Sequence, residues 1–219
     1  MVNLLFDYDG TLHDSLQIYA PAFQEAYDWL AERGCVAPRT WSLPEIRQWI
    51  GLSPKEMWDR FQPDLPEEEK RAASTLIGKR MLELIRAGEA RLYPGVPEAL
   101  EVLRGEGYRL LLLSNCPVVY LRTHADCFRL ERLFDGLYCG EQFNYRPKYE
   151  ILPELRAHWG GEFVVIGDRA QDMEIAARHY LPAVGCLYGY GSREELSAAD
   201  RLIQSPAELP AAVRQLAPI

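Results

Sequence analysis

Two carboxylates, Asp7 and Asp9, directly follow an apolar run from Val2 to Phe6 that is broken only by Asn3. Side chains at i and i+2 of an extended chain point the same way, so both carboxylates would face one place beyond the end of a buried strand. Like charges this close raise each other's pKa unless a cation lies between them. Oxygen ligands of this kind suit Mg²⁺. The pair therefore indicates a divalent metal site, although a strand-to-turn junction fits the same residues equally well.

Two further apolar runs also end in polar residues. One leads into Ser114 and Asn115, and another leads into Asp168, with Asp172 four residues further on. In an open parallel sheet, ligands bind at the carboxyl ends of the strands. We therefore expect these strand ends to form one site. Its carboxylates could hold a metal and supply a nucleophile, and its hydroxyl and amide groups could hold an oxyanion.

The elements that must position these residues alternate between apolar runs and helical patterns, which predicts an α/β fold with a parallel sheet and right-handed crossovers. Residues 15–88 show helical periodicity and no convincing strand, and Ser42 and Ser53 each precede a glutamate by three residues, the capping-box pattern. We therefore predict a catalytic core of residues 1–14 and 89–219 with a helical insert at 15–88. The expected strands are residues 2–6, 108–113, 137–139, 163–166, 183–187 and 201–203.

Composition excludes several classes of protein. The chain has 219 residues, of which 48% are hydrophobic and 26% charged, as in ordinary globular proteins. A net charge of −8 argues against a nucleic-acid-binding face. Five widely spaced cysteines without a CxxC pair predict reduced thiols and a cytoplasmic location. We expect no signal peptide and no membrane partner, because no apolar segment is long enough to span a bilayer. Nothing in the sequence indicates an oligomeric state.

The ordered motifs resemble the haloacid dehalogenase-like superfamily, in its phosphoglycolate phosphatase-like branch with a helical cap. Residues 7–11 match its first motif, DxDGT, Ser114 matches the second, and residues 167–172 match the acidic GDxxxD motif. The phrase at residues 93–96, Tyr-Pro-Gly-Val, is similar to the family's junction between cap and core. The resemblance implies a Rossmann-like core and an Mg²⁺-dependent phosphomonoester hydrolase that acts on a small phosphorylated metabolite under a closing cap.

The resemblance also implies a two-step mechanism. Asp7 would attack phosphorus, and Asp9 would protonate the leaving group and later deprotonate the hydrolytic water. Ser114 and Lys148 would hold the phosphoryl oxygens. The implied metal ligands are Asp7, Asp9 through its backbone carbonyl, Asp168 and Asp172.

The third motif departs from the family pattern, because Arg146-Pro147-Lys148 offers two cations where the family has one lysine. We favour Lys148, since an ammonium is a compact point charge and a guanidinium has a different shape. Arg146 would then be a loop cation. The remaining substrate contacts implied by the resemblance are Thr11, Asn115, Arg47 and Gly51. Asn115 also fits a simple cap of the strand end, and Arg47 fits a solvated helix residue.

Other functions fit the same motifs. A phosphosugar mutase of the β-phosphoglucomutase type or a pyrophosphatase would keep every motif. A non-catalytic binding module on this fold is disfavoured, because such a relative is expected to lose acids at one strand end. For His13, next to the first motif, a hydrogen bond is favoured over a catalytic role.

Overall fold

The computed structural model describes residues 1–218 and contains one parallel sheet. Its strands are β1 (Val2–Phe6), β2 (Arg109–Ser114), β3 (Gly136–Cys139), β4 (Glu162–Gly167), β5 (Ala183–Cys186) and β6 (Arg201–Ile203). Within the described residues the order across the sheet is β3-β2-β1-β4-β5-β6, and every neighbouring pair is parallel. The predicted α/β fold with a parallel sheet is therefore confirmed.

Strand β1 lies at the centre of the sheet and is buried along its whole length. Phe6 pairs with Leu112 on β2 and with Ile166 on β4. Because the three strands run in the same direction, their carboxyl ends lie at one edge of the sheet. That edge is where the residues after β1, β2 and β4 must meet.

The helices are α1 (Leu16–Glu32), α2 (Leu43–Arg47), α3 (Pro54–Phe61), α4 (Glu67–Arg86), α5 (Val96–Gly105), α6 (Val118–Phe128), α7 (Lys148–Trp159), α8 (Ala170–His179) and α9 (Leu209–Leu216). Helix α9, which contains Pro210, was not predicted from the sequence. A proline is tolerated in the first turn of a helix because the N–H groups there have no intrahelical partner. Leu209, Ala212 and Val213 form the buried face of this helix.

The chain divides into two compact units. The first comprises Met1–Asp14 together with the chain from Leu92 onward, and the second comprises Ser15–Arg91. The predicted boundary, between residues 88 and 89, lies a few residues before the observed one. The first unit contains the sheet and α5 to α9, and the second contains α1 to α4.

The second unit is helical and has its own apolar core, to which α1 contributes Phe23 and Leu30, and α4 contributes Ile77. Both predicted capping boxes are present, at the starts of α2 and α3. At the second, Glu56 accepts a hydrogen bond from the Ser53 backbone N–H (3.0 Å), and the Glu56 N–H donates to the Ser53 hydroxyl (3.2 Å). These local bonds define where the short helix begins.

No helix within residues 1–218 combines the length and the apolar character needed to cross a membrane. All five cysteines lie within the described residues and are free thiols.

Candidate active site

Asp7, the first residue after β1, lies against an ammonium group. Lys148 Nζ donates hydrogen bonds to Asp7 Oδ1 (2.5 Å) and to Asp172 Oδ1 (2.7 Å). The exposed fractions of these side chains are 10% for Asp7, 4% for Lys148 and 3% for Asp172. Lys148 opens α7, and Asp172 lies in the first turn of α8. Two helices thus bring opposite charges to the end of the central strand.

The structure separates the two cations of the third motif. Lys148 lies among the acids, whereas Arg146 lies in the preceding loop and pairs with Glu154 at the surface. Burial acts to lower the pKa of Lys148, but the charges of Asp172 and Asp7 raise it above the usual value. Lys148 is therefore held in its charged form.

Asp7, Asp168 and Asp172 form an acid cluster. Each offers a carboxylate oxygen that lies within 4.8 Å of the other two. Burial raises the pKa of Asp7 well above its usual value; the Lys148 charge opposes this, and the two neighbouring acids add to it. Burial and the charge of Asp172 likewise raise the pKa of Asp168, to about 7.

Burial and the neighbouring acids thus disfavour the ionised forms of Asp7 and Asp168, and one ammonium does not fully offset this. Carboxylate oxygens in a buried site with excess negative charge are suitable ligands for a divalent metal ion. The residues present therefore fit such an ion.

Asp168 is held by hydrogen bonds to both of its oxygens. The Thr11 hydroxyl donates to Oδ1 (2.9 Å), and the backbone N–H of Tyr190 donates to Oδ2 (2.7 Å). Gly10 has φ +92, and a Cβ there would lie 2.3 Å from Asp168 Oδ2, so only glycine fits this position. The Thr11 hydroxyl is buried and donates to Asp168, and its predicted contact with substrate stays a prediction.

The carboxylate of Asp9 lies outside the acid cluster. Its Oδ1 accepts hydrogen bonds from His13 Nδ1 (2.8 Å) and from the Tyr120 hydroxyl (2.8 Å). Burial acts to raise the pKa of Asp9, but the hydrogen bonds and charge supplied by His13, with the bond from Tyr120, lower it below the usual value. The predicted metal role of Asp9 therefore depends on its backbone carbonyl alone.

Ser114 and Asn115 lie where the sheet topology places them. Ser114 is the last residue of β2 and is buried, and Asn115 follows it at the surface. Since β2 pairs with β1 in parallel, Ser114 lies at the same edge of the sheet as Asp7. The residues that carry a hydroxyl and an amide thus lie at the same edge of the sheet as the acid cluster.

Arg47 and Gly51 lie in the second unit. Arg47 is the last residue of α2 and is exposed, and Gly51 has φ +90. Their role in substrate binding stays a prediction.

Two residues that contact this site, Tyr120 and Tyr190, were not predicted from the sequence. Tyr120 lies in the first turn of α6, immediately after the strand that ends in Ser114. A tyrosine so close to the end of a strand that carries a site residue could have indicated that Tyr120 contacts the site. Tyr190 contacts Asp168 through its backbone N–H, which every residue except proline has, so no residue type signals that contact.

The chain is similar to known hydrolases over most of its length. A family model described as haloacid dehalogenase-like hydrolase matches residues 2–179. A 5'-nucleotidase from Pseudomonas aeruginosa is 31% identical and aligns over 90% of this chain and 87% of its own. A phosphoglycolate phosphatase from Synechococcus elongatus is 31% identical over 99% of both chains. The crystal structure of a hydrolase from Pseudomonas syringae has a TM-score of 0.75 at 24% identity, covering 99% of this chain and 100% of that one. At that identity the structural likeness bears on the fold alone.

Proposed function

This chain belongs to the haloacid dehalogenase-like hydrolase family and is a phosphatase of that family; from this premise we propose that it hydrolyses small phosphate monoesters through an aspartyl-phosphate on Asp7. The observation that supports this proposal most strongly is the position of Asp7 and its contacts. It is a buried carboxylate at the end of the central strand, within the acid cluster and hydrogen-bonded to Lys148. With the Lys148 ammonium beside it and a divalent cation on the acid cluster, this carboxylate could approach an anionic phosphate, which an isolated carboxylate would repel.

We propose Mg²⁺ as the divalent ion of this site. Its ligands would be the carboxylates of Asp7, Asp168 and Asp172 with the backbone carbonyl of Asp9, a set made only of oxygen atoms. When bound, the ion would neutralise negative charge on the phosphoryl oxygens. Thr11 and the Tyr190 backbone would keep Asp168 in its ligand orientation.

The chain's own residues would carry out the two chemical steps. In the first, a bond forms between a carboxylate oxygen of Asp7 and phosphorus, the ester P–O bond breaks, and Asp9 donates a proton to the departing oxygen. In the second, Asp9 takes a proton from water, the water oxygen bonds to phosphorus, and inorganic phosphate leaves Asp7. Lys148, Ser114 and Asn115 would offset the charge on the phosphoryl oxygens in both steps.

The nucleophile assignment is tested with Asp7→Asn, which keeps the shape of the side chain and removes its charge. We expect hydrolysis of p-nitrophenyl phosphate to require Mg²⁺, to stop in EDTA and to disappear in this variant. Asp126→Asn, at an exposed aspartate of the same unit, is the matched control and should retain full activity. Undiminished turnover by Asp7→Asn would rule out Asp7 as the nucleophile.

The substrate is tested with a panel of small phosphate monoesters. The two relatives carry the names phosphoglycolate phosphatase and 5'-nucleotidase, so 2-phosphoglycolate and the nucleoside 5'-monophosphates come first. Inorganic phosphate and isomerised sugar phosphates are measured in parallel. Release of phosphate from one class at a much higher kcat/KM identifies the substrate class, whereas isomerisation without release would identify a mutase and contradict the proposal.

A further inference from the structure

A second group of buried polar side chains lies next to the acid cluster. It consists of Tyr8, His13, Tyr120 and His124, which we call the histidine–tyrosine cluster, and all four are buried. The ring centroids of His13 and His124 are 4.4 Å apart, as are those of Tyr120 and His124. The Tyr8 hydroxyl lies 2.9 Å from His124 Nδ1. None of these four side chains takes part in the chemical steps described above.

The rings of this cluster hold one another in fixed orientations. Tyr8 stacks on His13 with centroids 5.3 Å apart, and His124 packs edge-on against both. Burial, with the neighbouring His13, lowers the pKa of His124 to about 3, so His124 packs as an uncharged ring. Polar rings with no room to rotate keep their hydrogen-bonding atoms at set positions.

Two members of the cluster reach Asp9, and both bind the same oxygen. His13 Nδ1 and the Tyr120 hydroxyl each lie 2.8 Å from Asp9 Oδ1. A carboxylate oxygen has two lone pairs in its plane, so these two donors fill Oδ1, and Oδ2 is the oxygen that neither donor occupies. The Asp9 side chain is 27% exposed, whereas His13 is fully buried. Asp9 is thus the point at which the buried cluster meets the site.

We propose that His13 and Tyr120 are positioning residues for Asp9, which hold its Oδ1 so that Oδ2 faces the leaving-group oxygen. This inference rests on the proposed function, in which Asp9 is the general acid. The donors come from two different elements, the loop after β1 and the first turn of α6, so together they restrain the carboxylate from two directions. A restrained acid loses little orientational freedom when proton transfer begins.

The effect of displacing Asp9 on the rate should depend on the leaving group of the ester. An alkyl alcohol needs a proton in order to leave, whereas p-nitrophenolate is a weak base and leaves without one. The parameter kcat/KM includes only the steps up to departure of the leaving group, so a displaced Asp9 should lower kcat/KM for the alkyl ester far more than for the aryl ester. General acid catalysis contributes roughly 10²- to 10⁴-fold in rate, and we expect loss of one donor to remove about 10- to 100-fold of it.

The experiment compares variants that remove or preserve one donor. Tyr120→Phe deletes a hydroxyl and keeps the ring, and His13→Ala removes the other donor. His13→Asn places an amide N–H near the position of Nδ1 and should recover much of the activity that His13→Ala loses. For each variant, kcat/KM is measured on p-nitrophenyl phosphate and on whichever of 2-phosphoglycolate and the nucleoside 5'-monophosphates the unaltered enzyme hydrolyses fastest.

The matched control is Tyr108→Phe. Tyr108 is buried just before β2, at the opposite edge of the sheet from the site, and its hydroxyl donates to the backbone carbonyl of Ala217 (2.7 Å). This variant loses one buried hydroxyl but should keep the ratio of alkyl to aryl kcat/KM within about twofold, a negligible free-energy change.

The possible outcomes separate this inference from the function on which it rests. A fall in the ratio of alkyl to aryl kcat/KM in Tyr120→Phe, with His13→Asn recovering activity relative to His13→Ala, supports the positioning role. Equal losses on both substrates, or no loss in Tyr120→Phe, would overturn it while leaving an active phosphatase. Failure of the proposed function looks different, because the unaltered enzyme would then hydrolyse neither ester.

Discussion

Replacement of Lys148 by methionine would remove the ammonium that faces the acid cluster while keeping a side chain of similar length. Lys148 is 4% exposed and donates to both Asp7 and Asp172, at 2.5 and 2.7 Å. The variant would leave these carboxylates and Asp168 buried together without that compensating charge. We therefore expect it to destabilise the metal-free protein and to abolish phosphate-ester hydrolysis.

The size of the effect follows from the burial of the pair. Removal of one partner from a buried ion pair costs about 3–5 kcal/mol, because the other partner stays buried and uncompensated. In a protein of about 150–250 residues, each kcal/mol changes Tm by about 2–4 °C. The expected fall in Tm of the metal-free protein is therefore roughly 6–20 °C. A divalent ion on the same carboxylates would replace the lost charge, so Mg²⁺ should narrow the difference from the unaltered protein.

The assay is thermal unfolding followed by circular dichroism, first in EDTA and then in saturating Mg²⁺. Lys79→Met is the control: the Lys79 side chain is 73% exposed and lies 3.9 Å from Glu83, and such surface pairs contribute about 0–1 kcal/mol. A fall in Tm no larger than that of the control, or a difference that Mg²⁺ leaves unchanged, would refute the reasoning that Lys148 and the metal compensate the same buried charge.

Three further predictions concern the same site. The fold raises the pKa of Asp168 to about 7, well above the unfolded value of about 3.9. Protonated Asp168 therefore stabilises the metal-free fold, and this contribution to the free energy of unfolding is lost as pH rises from about 4 to about 7. Metal binding must displace that proton, so the rise in Tm caused by Mg²⁺ should be larger at about pH 8 than at about pH 6, which thermal scans at the two pH values would test. Gly10→Ala would place a methyl group 2.3 Å from Asp168 and should lower both Tm and Mg²⁺ affinity. The control is Gly34→Ala: at φ +73 with no atom within 4 Å of the added methyl group, it should cost only the backbone strain of about 1–2 kcal/mol. Arg146→Met should keep nearly full activity, since Arg146 pairs with Glu154 at the surface, and a large loss of kcat/KM would mean that Arg146 also serves the reaction.

Much of the fold could be predicted from the sequence because its signals are local. The apolar runs before Asp7, Ser114 and Asp168 are strands, and each ends at the edge of the sheet where ligands were expected. The helix starts at Ser42 and Ser53 depend on hydrogen bonds between residues three apart, which the sequence shows directly. Strand order depends on how each crossover packs, and was therefore not predicted.

The family and its phosphatase activity were also predicted from the sequence, because the motifs occur in a fixed order with specific spacing. Both predictions are confirmed: the chain matches a haloacid dehalogenase-like hydrolase model, and its relatives include a phosphoglycolate phosphatase. The choice between Lys148 and Arg146 rested on side-chain chemistry alone. Only the folded chain shows that one lies in the acid cluster and the other at the surface.

The contacts that orient the site were decided by tertiary structure. The Thr11 hydroxyl donates to Asp168, 157 residues away, and the Tyr120 hydroxyl donates to Asp9, 111 residues away. A sequence shows which side chains can donate or accept, but the partner of each depends on rotamers and helix positions that are set by packing of the whole unit. The sequence by itself therefore determined which residues have the chemistry for phosphoryl transfer. The tertiary structure decided which of them contact each other, because hydrogen-bond geometry is satisfied only within a few tenths of an ångström.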